Sequence, residues 1–228
     1  DKVVGVSNLT KRIIEEHYGI PSYKVFAIHN RINADEYNQP VDERIFQLKM
    51  DGKKIVLYAG RITLQKGPEH FLDAARKVLD FDQNVLFVMA GSGDMEYKMI
   101  DLAASLGISD KVLFTGFLRG EELRSIFKLA DVFVMPSVSE PFGIAALESI
   151  IHGTPVIISK QSGVSEIVQN ALKVDFWDTD EMANKILSVI SYQSLKSVLR
   201  ENGRDEVATF SWDTAANETL NLYRSLVH

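Results

Sequence analysis

A basic loop, residues 60–68, follows an apolar run and precedes a stretch with helical periodicity. Its two cations, Arg61 and Lys66, are five residues apart and lie between glycines. Such a loop can wrap a diphosphate, because the helix N-terminus beyond it adds backbone N–H donors and the positive end of the helix dipole. Two ordinary basic residues in a solvated loop give the same pattern, so the loop alone leaves both interpretations open.

A pair of carboxylates, Glu140 and Glu148, forms the second candidate site, with seven residues between them. Between the two, Phe142, Gly143 and Ile144 stand where a helix begins, so their backbone N–H groups can face an anion. Glu148 can accept both hydroxyls of a ribose diol, and Glu140 can accept hydroxyls of a sugar. A capping residue and a solvated helix glutamate are the structural alternative for the same pair.

Two weaker signals also follow apolar runs. The glycine pair in residues 91–94 is suited to close approach of a phosphate or sugar, and equally to a tight turn in which Asp94 caps a helix. The backbone of residues 116–118 is suited to contact the edge of a base. Neither segment decides a function by itself.

Short apolar runs alternate with amphipathic stretches over most of the chain. The runs lie at 54–59, 85–90, 111–115, 132–135 and 155–159. Their nearly continuous hydrophobicity is typical of parallel strands buried on both faces, and the stretches between them have helical spacing. We therefore predict an α/β fold with a Rossmann-like, doubly wound parallel sheet, whose ligands bind at the carboxyl ends of the strands.

The N-terminal part of the chain departs from this repeat. Residues 1–29 contain two short apolar runs around a helix that begins after Ser7. Residues 30–51 are polar and irregular, with Pro40 among them. This arrangement predicts the tail of a preceding domain, followed by a linker.

The C-terminal part is predicted to be helical from Asp178 onward, with Asp178, Ser194 and Ser211 as N-caps. Residues 80–82 and 178–180 also match the Asp-x-Asp pattern of metal-dependent enzymes. The first pair closes a predicted helix and the second caps one, and the five histidines show no ligand spacing. We therefore expect no metal site.

Composition excludes several classes of partner. The net charge of −6 gives nucleic acid no electrostatic footprint, and no apolar run reaches the roughly 18 residues of a membrane span. The chain contains no cysteine, so disulfides, thiolate nucleophiles and zinc–cysteine sites are absent. We expect a cytoplasmic protein without a membrane segment or nucleic-acid partner.

These segments, in this order, resemble the retaining glycosyltransferases of family 4, also called group 1, which have the GT-B fold. The similar stretches are YAGRITLQKG, VMAGSGD, VLFTGF, ADVFVMPSVSEPFGIAALESIIHGTPVI, SGVSEIV and FSW. The glutamate pair is the most specific motif of that family, and the Arg/Lys loop is the second.

The resemblance implies the C-terminal half of such an enzyme. It implies that residues 1–30 are the tail of the N-terminal, acceptor-binding domain with the interdomain link. Residues 31–209 would bind the nucleotide sugar, and residues 210–228 would return toward the N-terminal domain. Most of that N-terminal domain would lie outside this chain, which alone is expected to bind donor without turning it over.

The resemblance also implies the reaction and the site. A sugar would be transferred, with retention and without a metal or other cofactor, from a nucleotide-diphosphate sugar to an unidentified glycan, lipid or small molecule. A UDP-sugar is the expected donor, and the implied catalytic residues are Arg61, Lys66 and Glu140. The implied donor-binding residues are Gly60, Gly91, Leu118, Phe142, Gly143, Ile144, Glu148 and Gly163.

One departure and two other functions bear on this interpretation. The family's link commonly reads Asn-Gly-(Val/Ile)-Asp, whereas residues 30–33 here read Asn-Arg-Ile-Asn. A glycoside hydrolase or phosphorylase would use Glu140 and Glu148 as acid and nucleophile, although a neutral glycoside needs no diphosphate clamp. A non-catalytic nucleotide-binding module would use the same residues for binding alone.

Overall fold

The apolar runs become the strands of one parallel sheet in a computed structural model, which describes residues 1–33 and 52–226. The strands are β1 (Val3–Gly5), β2 (Val25–Ala27), β3 (Lys54–Ala59), β4 (Val85–Ala90), β5 (Val112–Gly116), β6 (Val132–Met135), β7 (Val156–Ser159) and β8 (Leu172–Val174). The last six form the main sheet, in the order β5-β4-β3-β6-β7-β8. Every pair in it is parallel, as the continuous hydrophobicity predicted.

Helices cover both faces of this sheet. The helices of the described ranges are α1 (Asn8–Tyr18), α2 (Pro68–Leu79), α3 (Glu96–Ser105), α4 (Gly120–Leu129), α5 (Ile144–Ile151), α6 (Thr179–Ser191), α7 (Gln193–Ala208) and α8 (Trp212–Arg224), of which α2 to α7 pack on the sheet. Because successive side chains of a strand point to opposite faces, β3 contributes Val56 and Tyr58 to one apolar layer, and Ile55 and Leu57 to the other. Helices α2, α3 and α6 pack on the first layer and α4 and α5 on the second, while α7 contributes Leu195 and Leu199 to the first and Val207 to the second. None of the helices in the described ranges is both long enough and apolar enough to cross a membrane.

The first 33 residues form a small unit beside the main sheet. Strands β1 and β2 pair in parallel, and α1, N-capped by Ser7, connects them. The following link uses no left-handed backbone at Arg31, since every residue with positive φ in the described ranges is a glycine. The Arg31 guanidinium instead lies 5.3 Å from the ring centroid of Phe210. The predicted domain boundaries near residues 30 and 209 stay predictions.

The sequence-based element boundaries need three corrections. Strand β8 was not predicted, because it has only three residues, with a lysine in the middle and one fully buried side chain. Ser194 as an N-cap is wrong: Tyr192 has extended backbone angles and precedes α7, while Asp178 and Ser211 cap α6 and α8 as predicted. Met95, rather than Asp94, immediately precedes α3, and no side chain caps that helix. Pro40 lies outside the described residues.

Candidate functional site

The site lies at the carboxyl edge of the main sheet, where the order of the strands reverses. The chain runs from β3 to β4 and β5 on one side, and then continues with β6 and β7 on the other side of β3. A reversal of this kind opens a crevice between neighbouring strand ends. Two cavities lie there, and both are lined by the end of β3 and the first turn of α5.

One cavity, called the polar cavity below, has a volume of about 240 Å³. Its lining residues are Tyr58, Ala59, Gly60, Arg61, Lys66, Val134, Met135, Ser137, Glu140, Gly143, Ile144 and Ala145. It brings together the two cations and the loop glutamate that the sequence singled out separately. The three lie together because each follows a strand that ends at this edge.

The other cavity, called the apolar cavity below, has a volume of about 270 Å³. Its lining residues are Ala59, Gly60, Arg61, Ala90, Gly91, Phe117, Leu118, Leu123, Phe127, Ala145 and Glu148. It therefore combines a mostly hydrophobic wall with one carboxylate. Ala59, Gly60, Arg61 and Ala145 line both cavities, so the two cavities are neighbours along these residues.

Glu140 is the most buried charged group of the polar cavity, with 6% of its surface exposed. Lys66 Nζ donates a hydrogen bond to Glu140 Oε2, and Ser137 Oγ donates to the same oxygen over 3.3 Å. Removing a carboxylate from water is costly unless an opposite charge accompanies it, so the ammonium group of Lys66 stabilises the buried carboxylate of Glu140. The pair places one negative and one positive group side by side at the cavity wall.

Tyr58 fixes the course of the basic loop. Its hydroxyl, near the end of β3, donates to the carbonyl of Arg61 over 2.7 Å. Burial, reinforced by the negative charges of Glu69 and Glu140, raises the pKa of Tyr58 far above its usual range. The hydroxyl therefore stays a neutral donor, and Arg61 is held at the junction of the two cavities.

The strand ends lie so close together that glycine is required there. The Gly60 N–H donates to Ala90 O over 2.9 Å, and the Gly91 N–H donates to Gly116 O over 2.8 Å. A Cβ atom on Gly91 would lie 1.9 Å from Gly60 O. Gly91 thus allows the ends of β3 and β4 to pack directly, whereas a Cβ atom on Gly60 would meet nothing within 4 Å. Gly60 and Gly91 both form part of the cavity walls.

The start of α5 supplies backbone donors to the polar cavity. Gly143 has φ of 107°, a left-handed conformation that turns the chain into the helix, and Ile144 follows as its first residue. The N–H groups of Phe142, Gly143 and Ile144 make no hydrogen bond to any described residue. Gly143 and Ile144 line the cavity, whereas the Phe142 side chain is buried in the core against His29.

Gly163 lies behind the site and lines neither cavity. Its N–H donates to Glu140 O over 3.0 Å, and a Cβ atom there would lie 2.4 Å from Pro141 O. Its place is therefore against the backbone of the Glu140 loop. Sequence reasoning did not assign Tyr58 and Ser137 to the site, where Tyr58 bonds to the backbone of Arg61 and Ser137 to the carboxylate of Glu140. A hydroxyl near the end of an otherwise apolar strand was the available signal for Tyr58.

The two Asp-x-Asp pairs lie outside both cavities, and one aspartate of each pair accepts a hydrogen bond that stabilises the fold. Asp82 accepts from Lys54 Nζ over 2.8 Å, and Asp178 accepts the Glu181 N–H at the start of α6. The described ranges contain no group of three or more acidic, histidine or cysteine side chains that could hold a metal ion. Metal independence of the chemistry stays a prediction.

Comparison with known proteins places this fold in a family. The family of glycosyl transferases group 1 matches residues 41–206. An uncharacterized glycosyltransferase of Methanocaldococcus jannaschii is 38% identical over 233 residues, which cover 98% of this chain and 60% of that protein. Sucrose-phosphate synthase of Thermosynechococcus elongatus has a TM-score of 0.83 at 28% identity, with 100% of this chain and 58% of that one covered.

A third protein, Anabaena HepE in complex with UDP and glucose, has a TM-score of 0.85 at 20% identity and shows the same fold. The match covers 98% of this chain and 63% of HepE, so this chain spans less than two thirds of each of the three proteins. The parallel sheet flanked by helices matches the GT-B structures, and the family match includes both cavities. The chain therefore belongs to the group 1 family of glycosyl transferases.

Proposed function

We propose that this chain is the donor-binding half of a retaining, metal-independent glycosyltransferase that uses a nucleoside-diphosphate sugar. The observation that carries the proposal is the pair of cavities joined at Gly60 and Arg61, each with one glutamate in its wall. A nucleotide sugar has the same order of parts: an apolar base with a ribose diol, a charged diphosphate, and a hydroxyl-rich sugar.

The parts of the donor fit the two cavities in one direction. The base lies in the apolar cavity beside Leu118, and Glu148 in the same wall accepts the ribose hydroxyls. The diphosphate crosses the junction at Arg61, within reach of Lys66. The sugar then occupies the polar cavity, where Glu140 accepts its hydroxyls.

Breaking the anomeric C–O bond leaves growing negative charge on the diphosphate. Arg61, Lys66 and the N–H groups of Gly143 and Ile144 stand where that charge develops, so they stabilise the transition state more than the ground state. This set of donors can stabilise the leaving group without a divalent metal. The diphosphate also competes with Glu140 for Lys66, which frees the carboxylate for the sugar. Retention of the anomeric configuration rests on the resemblance to family 4.

The arrangement disfavours a glycoside hydrolase. In such enzymes the acid and the nucleophile flank one bond, whereas Glu140 and Glu148 line different cavities. A UDP-sugar is the proposed donor, a choice supported by the complex of HepE with UDP and glucose. The acceptor is proposed to bind to the part of the family's enzymes that this chain does not span.

Titration calorimetry with UDP, GDP and ADP tests the donor site, with UDP-glucose as the sugar-bearing probe. We expect one nucleotide to bind the wild-type chain, and Lys66→Met to weaken that binding about tenfold or more, because a charge-assisted contact to phosphate is lost. Lys77→Met is the matched control, since Lys77, on α2, pairs with Asp180, on α6, outside both cavities. Failure of all three nucleotides to bind, or equal losses in the two variants, would contradict the donor site.

A further inference from the structure

Glu166 makes four polar contacts outside the two cavities. Its Oε1 accepts the Leu9 N–H over 2.7 Å. Its Oε2 accepts the Asn8 N–H over 2.8 Å and the Asn8 side-chain amide over 3.0 Å, and pairs with His29 Nε2 over 2.8 Å. One carboxylate thus holds the N-terminus of α1 and the chain just after β2. These hydrogen bonds outweigh burial and lower the pKa of Glu166.

The short 3-10 helix that ends at Glu166 holds the Glu140 loop from one side. Its first residue, Gly163, donates its N–H to Glu140 O over 3.0 Å, and Val164 donates to Phe142 O over 2.7 Å. Two of the three consecutive carbonyls in residues 140–142 are therefore bonded to the segment that carries Glu166.

The start of α1 holds the same loop from the other side. Ser7 Oγ donates to Pro141 O over 2.7 Å, and Thr10 Oγ1 lies 3.3 Å from the same carbonyl. A Cβ atom on Gly163 would lie 2.5 Å from Ser7 Cβ, so the two sides nearly touch. Glu166 joins them, because it belongs to one side and binds the N-terminus of the other.

We propose that Glu166 is a positioning residue that closes a frame around residues 140–142 and thereby sets where the Glu140 carboxylate stands in the polar cavity. The proposal rests on the proposed function, since it assigns the frame to recognition of the sugar and diphosphate. The frame does not contact the apolar cavity, so loss of Glu166 weakens binding of the sugar-bearing part of the donor more than binding of the base and ribose.

The variants Glu166→Ala and Glu166→Gln test this assignment against a matched control. Glu206 has the same chemistry elsewhere: its carboxylate accepts the Gln169 N–H over 2.7 Å, and the Asn170 N–H and side-chain amide, each over 2.9 Å. Glu206→Ala and Glu206→Gln therefore remove or weaken the same three kinds of bond, without the histidine contact and without touching residues 140–142.

The first readout is the ratio of the dissociation constants of UDP-glucose and UDP, or of the matching pair for whichever base binds. We expect Glu166→Ala to raise this ratio about tenfold, since charge-assisted hydrogen bonds are lost, and Glu166→Gln to raise it less. Both Glu206 variants should leave it unchanged. An unchanged ratio in Glu166→Ala, or the same rise in Glu206→Ala, would overturn the positioning role.

The second readout needs no nucleotide. Hydrogen exchange at the Gly163 and Val164 amides, measured relative to the amides of β3, should become about tenfold faster in Glu166→Ala and stay unchanged in Glu206→Ala. Equal exchange in all variants would overturn the frame. If the wild-type chain bound no nucleotide, the proposed function would be wrong, and hydrogen exchange alone would test whether Glu166 closes the frame around residues 140–142. If the wild-type chain bound a nucleotide but the ratio of dissociation constants stayed the same in Glu166→Ala, only the positioning role of Glu166 would be wrong.

Discussion

At the scale of single residues, the crevice depends on backbone atoms approaching more closely than a side chain allows. Gly91 has φ of 147° and would bring a Cβ atom to within 1.9 Å of Gly60 O. The neighbour in this clash is backbone directly after β3, which cannot move without disturbing the hydrogen bond from the Gly60 N–H to Ala90 O at the end of β4. Substitution at Gly91 therefore combines an unfavourable conformation with a clash that has no easy relief.

We expect Gly91→Ala to lower the free energy of unfolding by about 3 kcal/mol or more, because clash and strain add. Gly107→Ala is the control: Gly107 also has positive φ, of 69°, but a Cβ atom there meets nothing within 4 Å. That variant should cost only about 1 kcal/mol. Urea unfolding followed by circular dichroism measures both, and equal losses would show that close approach is unimportant at Gly91.

Much of the site at this scale is predictable from the sequence. Arg61, Lys66 and Glu140 each follow a strongly apolar run, and the carboxyl ends of parallel strands share one edge, so their meeting in one cavity follows from the pattern. Ser137 and the distribution of the two glutamates between separate cavities do not follow from it. They depend on the local path of the loop after β6 and on how α5 is rotated, which spacing alone leaves open.

At the scale of elements, the boundary between α6 and α7 is set by tertiary packing rather than by the capping preference of the local sequence. Ser194 has a good capping side chain, yet it lies in the first turn of α7, and Tyr192 occupies the N-cap with φ of −104° and ψ of 96°. Its carbonyl accepts the Lys196 N–H over 3.1 Å. Because Tyr192 also ends α6, the packing of two helices, rather than the best capping residue, sets this boundary.

An added capping side chain should therefore stabilise the junction. We expect Tyr192→Ser to raise the free energy of unfolding by about 0.5–1 kcal/mol relative to Tyr192→Ala, since the serine hydroxyl accepts an otherwise unbonded N–H in the first turn of α7. Both variants lose the exposed tyrosine ring, so the difference between them measures the effect of the serine hydroxyl alone. Serine avoids the negative charge that aspartate would place at the end of α6. Thermal and urea unfolding provide the measurement, and no difference would exclude capping at this position.

At the scale of the whole molecule, one histidine couples global stability to pH. His152 follows α5 and stacks on Phe127, with 6.2 Å between ring centroids. Burial, followed by the charges of Arg124, Lys128 and Arg204, lowers the pKa of His152 to about 4. The folded protein therefore keeps this ring neutral over a range in which the unfolded chain protonates it.

Protonation of His152 favours the unfolded chain, so its contribution to stability is complete above about pH 6.5 and is lost as the pH falls toward 4. The difference in pKa corresponds to about 3 kcal/mol, which solvent screening at this partly buried position reduces to about 1–2 kcal/mol. We expect the unfolding free energy to fall less between pH 7.5 and 4.5 in His152→Gln than in wild type. Identical slopes in His152→Gln and wild type would refute the coupling.

The two cavities are also built mainly by different stretches of the chain. Apart from the end of β3 and the start of α5, the apolar cavity is built by residues 90–127, and the polar cavity by Lys66 and residues 134–143. Residues 90–127 and 134–143 do not interleave, although Lys66 precedes both stretches and Glu148 follows both. A single genetic crossover within residues 128–131 therefore exchanges most of one wall and keeps most of the other. With the base in one cavity and the sugar in the other, as proposed above, descendants of one ancestral gene can change the site for one half of the donor and keep most of the site for the other half.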